Sequence, residues 1–201
     1  KIIRHSLDAV KAQAQLSAVN CLQYKEILIL GKNSPALRPT MYDFLVYRSI
    51  DLLEQLYWTK QYFNQTELTN SRLLAPLEDF LQIKMDVPFY EINQNIVQLY
   101  QQLLRAQTAA KRTDAIIISD LDRLAFINRT VQIKNKDSLY LNTIESLNRK
   151  YHDNPYSVEI LNAIAQHYYQ HYPNPKQQLP HYEKALNTCE EGIRRFPKYF
   201  R

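Results

Sequence analysis

The chain is poor in glycine. Its 201 residues include only two glycines, Gly31 and Gly192. Tight β-hairpin turns, dinucleotide-binding turns and phosphate-binding loops need glycine, either at positive φ or where the backbone must approach another group closely. The scarcity of glycine therefore argues against these folds and sites and indicates an all-α protein.

Cysteine and long apolar runs are scarce as well. Cys21 and Cys189 are far apart and each lies in a helical pattern, so we expect two buried free thiols. No uninterrupted apolar segment of about 18 residues occurs, so we expect no membrane-spanning helix. The chain starts at Lys1 without a methionine or a signal-like segment, and we expect it to be a mature or trimmed piece of a longer protein.

The excess of basic residues is modest and dispersed. The formal net charge is +5 and the pI is about 9.1, which permits contact with acidic partners. Adjacent basic residues occur in three pairs, Lys111-Arg112, Arg149-Lys150 and Arg194-Arg195. A nucleic-acid groove usually concentrates its cations on one face. We therefore expect no nucleic-acid binding.

Apolar residues recur at helical spacing along most of the chain. This spacing predicts helices over residues 2 to 30, 40 to 60, 73 to 83, 88 to 110, 114 to 130 and 137 to 151, and a further helix that starts at Asn154-Pro155. Gly31 is expected to end the first helix. Thr40 to Asp43 resemble a capping box at the start of the second. The polar residues 64 to 72 predict a loop.

The last part of the chain has the residue spacing of a tetratricopeptide repeat. Ala185, Cys189, Gly192 and Pro197 fall at A-x3-[aromatic or Cys]-x2-[small]-x4-P, which is typical of the second helix of such a repeat and its closing proline. The small residues indicate a close approach of two helices, and Cys189 takes the position of a large apolar residue. We therefore expect the Cys189 thiol to be buried.

The first helix of this repeat is predicted at about residues 155 to 170. Leu161, Ala165 and Tyr168 match its large, small and tyrosine positions. The separation of Tyr168 from Ala185 exceeds that of a regular repeat by eight residues. The intervening segment contains prolines, which interrupt helices, and it therefore predicts an enlarged turn over Pro173, Pro175 and Pro180.

These patterns predict antiparallel helical hairpins in a tetratricopeptide-like, right-handed superhelical array. The distance from Pro155 to Pro197 is 42 residues, and residues 114 to 155 have a similar length and are interpreted as a degenerate earlier repeat. We expect residues 1–112 to form an N-terminal helical bundle. Residues 113–201 are expected to form repeats packed on it, so that the whole chain is one continuous α-domain.

A metal site is the first candidate for chemistry. His167 and His171 are four residues apart in HYYQH and share one helical face, as two zinc ligands would. No HExxH motif accompanies them, and the third ligand would have to be His152 or His181. The better interpretation is a pair of polar residues at a helix end, before a proline-rich turn.

Catalytic carboxylates and a reactive thiol are the other candidates. Asp120 and Asp122 are two residues apart on a helix and point in different directions, so they make a poor catalytic pair. With Arg123 they are expected to form a solvated helix face. A reactive cysteine needs exposure and cationic neighbours, whereas Cys189 stands beside acids. We therefore predict no catalytic, metal-binding or cofactor-binding residues, and no enzyme.

Four segments resemble one protein family. The segment PTMYDFLVYRSID, residues 39 to 51, resembles a motif in the N-terminal helical region of large alpha-2-macroglobulin-like proteins of Bacteroidetes. Later segments look similar in the same order: residues 74 to 77 with 79 to 81, residues 120 to 124, and residues 185 to 197. The resemblance covers most of residues 35 to 200.

The resemblance implies a non-catalytic region that precedes the macroglobulin domains of a long secreted, periplasmic or envelope-associated chain. Such proteins trap proteases by rearranging after a bait segment is cut, and some use a thioester formed from Cys and Gln. No bait region and no C-x-E-Q pattern occurs here, so Cys189 is not assigned that role. Tyr42, Asp43, Phe44, Tyr47 and Arg48 match the family's motif and are expected to hold helices together rather than to contact a protease.

Two functions are therefore expected from the sequence. The first is a helical scaffold of a protease-trapping protein, with other domains of the same chain, proteases or envelope proteins as partners. The alternative is a stand-alone adaptor whose concave surface binds a peptide or protein. The reading frame beyond Arg201 separates them, because many β-rich domains of about 100 residues are expected only for the first.

Overall fold

The computed structural model describes residues 2–59, 66–88, 90–170 and 175–199. These residues form α-helices and two short 3-10 helices, Cys21–Tyr24 and Ser71–Leu74, and no β-strand among them extends beyond an isolated bridge. The prediction of an all-α protein is confirmed. The α-helices are α1 (Ile2–Ala9), α2 (Gln13–Ser17), α3 (Ser34–Leu37), α4 (Met41–Trp58), α5 (Leu77–Leu81), α6 (Ile92–Ala109), α7 (Thr113–Thr130), α8 (Lys136–Lys150), α9 (Ser157–Gln170) and α10 (Pro175–Arg195).

The prediction of helix over residues 2 to 30 is wrong for much of that range. After the short α1 and α2 the chain runs alongside the entry to α4, where Cys21 N–H donates to the Pro39 carbonyl at 2.9 Å. The apolar side chains that suggested a helix are not buried, since Ile27 is 77% and Ile29 is 103% exposed. A segment whose apolar side chains stay exposed lacks the tertiary packing that stabilises most protein helices. Gly31 consequently does not end a helix.

The start of α4 follows the predicted capping box. The Asp43 N–H donates to Thr40 Oγ1 at 3.2 Å, and the Thr40 N–H donates to Asp43 Oδ2 at 3.2 Å. These two bonds satisfy donors that would otherwise be unpaired at the helix end. The helices predicted over 40 to 60, 88 to 110, 114 to 130 and 137 to 151 are confirmed to within a few residues as α4, α6, α7 and α8.

From α6 onward, consecutive helices pack against each other. α4 packs on α6, α6 on α7, α7 on α8, α8 on α9 and α9 on α10, and α7 also contacts α9. The α9–α10 pair is antiparallel, because Gly192 near the end of α10 lies against Leu161 and Val158, while Tyr182 near its start contacts Tyr169 at the end of α9. The α9–α10 pair therefore forms a helical hairpin.

The apolar core is continuous across the predicted division at residue 112. It extends from Val10 to Ile164 and includes fully buried side chains of α4, α5, α6, α7 and α8. The division coincides with the turn between α6 and α7, where Lys111 has a positive φ of 54°. Arg112 follows it and forms an ion pair with Asp43 of α4.

The proline-rich segment before Ala185 is helical where the structure describes it. α10 begins at Pro175 and contains Pro180, so the prediction of an enlarged turn over these two prolines is wrong. Pro175 stands at the first helical position, where the missing N–H removes no hydrogen bond. The extra residues of the predicted repeat therefore lengthen α10. Pro173 and His171 lie outside the described residues.

Candidate functional site

A groove with a volume of about 470 Å³ lies between α4, α7 and α9. α4 supplies one wall, α7 a second and α9 a third, while Tyr100 of α6 and Tyr140 of α8 also reach it. This volume lies within the usual range of ligand-binding clefts, roughly 300–1,000 Å³. The groove brings together aromatic rings, amides and charges from five helices that are distant in sequence.

Tyr47 connects the α4 and α7 walls. Its hydroxyl oxygen lies 2.8 Å from Ser119 Oγ and donates to Asp122 Oδ2 at 3.2 Å. The guanidinium carbon of Arg38 lies 3.6 Å from the centre of the Tyr47 ring, as in a cation–π contact. Burial, reinforced by the Asp122 carboxylate, raises the pKa of Tyr47 well above its ordinary value. The hydroxyl therefore stays neutral and remains a hydrogen-bond donor.

A second connection between these walls is an ion pair. Arg129 of α7 donates to Glu54 Oε2 of α4 at 3.1 Å. Burial raises the pKa of Glu54, and the neighbouring carboxylates of Asp51 and Asp122 raise it further, whereas Arg129 opposes the shift. The groove thus holds both signs of charge in close proximity.

The third wall adds a histidine against a tyrosine. His167 of α9 is 6% exposed, and its ring centre lies 5.8 Å from that of Tyr140. Among the described residues no three His, Cys, Asp or Glu side chains are grouped so that they could hold a metal ion. The described surroundings of His167 are aromatic, since its ring contacts those of Tyr140 and Tyr168.

The repeat positions predicted in α9 and α10 meet at the interface of these two helices. Leu161, Ala165 and Ala185 are buried. The Tyr168 hydroxyl donates to Glu145 of α8 at 3.1 Å. A Cβ placed on Gly192 would lie 3.6 Å from Leu161 Cδ1, an ordinary contact distance, so the two helices are close here without requiring glycine.

The expectation of a buried Cys189 is wrong. Its thiol is exposed, whereas Cys21 is buried. Cys189 lies at the edge of the α9–α10 contact, where it lines a shallow groove with Val158 and Leu161 of α9 and Ile193 of α10. Pro197, the last repeat position, is exposed and follows the end of α10 at Arg195.

The residues that match the family motif differ in their surroundings. Tyr42 and Asp43 are 1% and 0% exposed, and Phe44 is half-buried, whereas Arg48 is exposed, contrary to the expectation that it packs between helices. Asp43 accepts hydrogen bonds from Thr40, from Gln107 of α6 at 3.3 Å and from Arg112. This carboxylate therefore joins the start of α4 to the α6–α7 turn.

The expectation of a solvated Asp120–Arg123 face is wrong. Arg123 Nε donates to Asp120 Oδ1 at 2.8 Å, and both side chains are buried. Arg123 also donates to the carbonyls of Leu73 and Ala75, at 2.6 and 3.2 Å, and its guanidinium carbon lies 4.2 Å from the centre of the Phe80 ring. Two of the segments that carry the family resemblance thus meet around one guanidinium.

Sequence reasoning missed most of the groove. Tyr47 and Glu54 lie seven residues apart on one face of α4, but Tyr100 and Arg129 belong to other helices, and no local spacing connects them to α4. Tyr47 matches the family motif, and the high tyrosine count of 15 is a general signal for such side chains; nothing in the sequence points to Glu54 or Arg129.

Comparison with protein-family models, with curated proteins and with solved structures finds no match to this chain. None of the helices that the structure describes has the length and apolar character needed to cross a membrane. What the chain does must therefore be argued from the groove and from the surfaces of its helices.

Proposed function

We propose that the chain is a non-catalytic helical interaction region and that the groove between α4, α7 and α9 binds a polypeptide segment. The observation that carries this proposal is the origin of the groove walls, since each comes from a different helical pair: α4 with α6, α7 with α8, and α9 with α10. Helical repeat proteins bind their partners on concave surfaces of this kind, lined by one helix of each repeat.

The composition of the groove supports a polypeptide ligand. Tyr47, Tyr100 and Tyr140 line the groove but are only 5%, 3% and 8% exposed, so most of the contact area comes from the other lining side chains. The exposed amides of Gln166 and Gln170 on α9 can donate to and accept from a peptide backbone. A tetratricopeptide-like, right-handed superhelical array is part of this proposal, and the contact of α7 with α9 supports it.

Selection of peptides on the intact chain tests this function. A random peptide library displayed on phage would be selected against the wild-type protein, and the binders measured by fluorescence anisotropy. Gln166→Trp places a large side chain in the groove from an exposed position, and we expect it to weaken binding at least about tenfold, a loss of roughly 1.4 kcal/mol. Gln15→Trp makes the same change at an exposed helical position outside the groove.

Loss of binding in Gln166→Trp, with Gln15→Trp unchanged, supports the groove as the binding surface. Equal affinities of both variants and the wild type would contradict it, as would a selection that yields no binder. Far-UV circular dichroism of each variant shows whether the helices are retained.

We further propose that this region belongs to a secreted or envelope-associated alpha-2-macroglobulin-like protease-trapping protein. The buried polar contacts in three of the four matching segments support a common structural role for them: Asp43 joins α4 to the α6–α7 turn, and Arg123 joins α7 to the chain around Leu73 and Phe80. Sequencing the gene downstream of the Arg201 codon tests this proposal. A series of β-rich domains of about 100 residues is expected, and a stop codon soon after Arg201 would instead favour a stand-alone adaptor.

A further inference from the structure

α10 leaves a row of apolar side chains exposed along the edge of its contact with α9. Leu179, Tyr182, Leu186 and Ile193 are 69%, 37%, 58% and 69% exposed, and the exposed Cys189 completes the row. We call these five side chains the outer stripe. They follow one another at intervals of three or four residues and cover about 21 Å of helix at 1.5 Å per residue.

The outer stripe adjoins the buried side of α10. Ala185 is buried on the side that faces α9, and Gly192 contacts Leu161 and Val158 there. Single exposed apolar side chains are common, but a contiguous row of them marks an interaction surface. The apolar face of α10 is therefore wider than its contact with α9 covers, and among the described residues only α9 packs extensively on α10.

One border of the outer stripe is acidic. Glu183 and Glu190 are both exposed and stand seven residues apart, on the border away from α9. Two neighbouring cations of α10 point elsewhere, since Lys184 lies over the Tyr168 ring and Arg195 pairs with Glu191 at 3.0 Å. Arg194 follows Glu190 at the C-terminal end of the row. A partner on this border would therefore face two carboxylates along most of its length.

This acidic border argues against a second copy of the chain as the occupant. In an antiparallel pair of α10 helices that overlap along the whole stripe, Glu183 of one copy would lie close to Glu190 of the other, and like charges across a helical interface are unfavourable. In a parallel pair the glutamates would face the side of Ala185 and Gly192, which offers no cation and is already covered by α9.

We propose that the outer stripe binds an amphipathic α-helix of a partner protein. This helix has apolar residues at intervals of three and four over about four turns, and lysine or arginine along the flank that lies against Glu183 and Glu190. The apolar row supplies the buried contact, and the charges set the orientation and choice of partner.

Two synthetic peptides test this surface. Both are 18-residue amphipathic helices with leucine on one side; one carries lysine along the flank and the other carries glutamate at the same positions. Fluorescence anisotropy with the intact chain is expected to show about tenfold tighter binding of the lysine peptide. Leu186→Glu should weaken its binding about thirtyfold or more, whereas Ile29→Glu, at a fully exposed position outside the stripe, should leave it unchanged.

A charge exchange sharpens the test. The double variant Glu183→Lys, Glu190→Lys should prefer the glutamate peptide. A surface that binds through apolar contacts alone would show no such change of preference. Equal affinities for the two peptides, no binding of either, or binding unaffected by Leu186→Glu would overturn the proposal. So would sedimentation of the wild type as a dimer that Leu186→Glu converts to a monomer, because a second copy would then occupy the stripe.

Discussion

Arg123 and Asp120 form an ion pair inside the protein, one turn apart on α7. The Arg123 Nη2 to Asp120 Oδ1 distance is 2.7 Å, and the two side chains are 0% and 1% exposed. Burial raises the pKa of Asp120, and Arg123 opposes that shift. Because Arg123 also binds the Leu73 and Ala75 carbonyls, this pair is part of the connection between α7 and the preceding chain.

Arg123→Met should destabilise the protein by about 3–5 kcal/mol. Methionine fills much of the same space, but it leaves the buried Asp120 carboxylate and two carbonyls without their donor. Chemical denaturation followed by circular dichroism measures the change. Arg129→Met is the matched control, since Arg129 pairs with Glu54 but is 53% exposed, and removal of an exposed pair costs about 1 kcal/mol or less. A loss below 1 kcal/mol in Arg123→Met would contradict the role of this pair.

In the Glu54→Gln variant, the free energy of unfolding should fall less than in the wild type as the pH rises. The pKa of Glu54 is raised in the folded state, mainly by burial, so the folded protein binds its proton more tightly than the unfolded chain does. Stability from this group is therefore present at low pH and is lost as the pH rises from the ordinary glutamate pKa through the raised one. Denaturation at a series of pH values should show Glu54→Gln gaining stability relative to the wild type across that window. A constant difference would show that Glu54 titrates normally.

Gly192→Ala should stabilise the protein slightly. The new Cβ would meet Leu161 and Val158 at 3.6 and 3.8 Å, which are ordinary contact distances, and alanine has a helix propensity about 1 kcal/mol better than glycine. The free energy of unfolding should therefore rise by up to about 1 kcal/mol. Destabilisation would mean that α9 and α10 approach more closely than the structure has them.

Cys189 should react with a thiol reagent in the folded protein, and Cys21 should not. Cys189 is exposed, whereas Cys21 is 2% exposed and burial raises the pKa of its thiol, which lowers the fraction of reactive thiolate. Titration with Ellman's reagent should give one fast thiol per chain, and two in denaturant. Cys189→Ser should remove the fast reaction, and Cys21→Ser should keep it. The reverse pattern would mean that Cys21, and not Cys189, is the exposed thiol.

The helices with strong local signals were predictable from the sequence. α4 starts with a capping box, and α6, α7 and α8 carry apolar residues at regular helical intervals, which fix their position to within a few residues. The segment before Thr40 was mispredicted because its apolar residues, such as Ile27 and Ile29, repeat at helical spacing but stay exposed. Pro180 caused the opposite error. It predicts a break in the helix, but it lies inside α10.

Burial and long-range partners were less predictable. Asp120 and Arg123 have the spacing of a surface ion pair, and their burial depends on the chain around Leu73 and Phe80, about 50 residues away. Cys189 fits a repeat position that is normally buried, but α9 covers only one side of α10. The groove depends on Tyr47, Glu54 and Arg129 coming together from two helices, which only the packing determines.

Amide hydrogen exchange of the intact chain with and without a selected peptide tests the central claim most directly. If the groove binds polypeptides, the peptide should slow exchange in α4, α7 and α9, at the segments around Asp51, Asp122 and Gln166. α1 and α2 should exchange as in the free protein. Slower exchange confined to segments outside α4, α7 and α9, with the groove unchanged, would contradict the account.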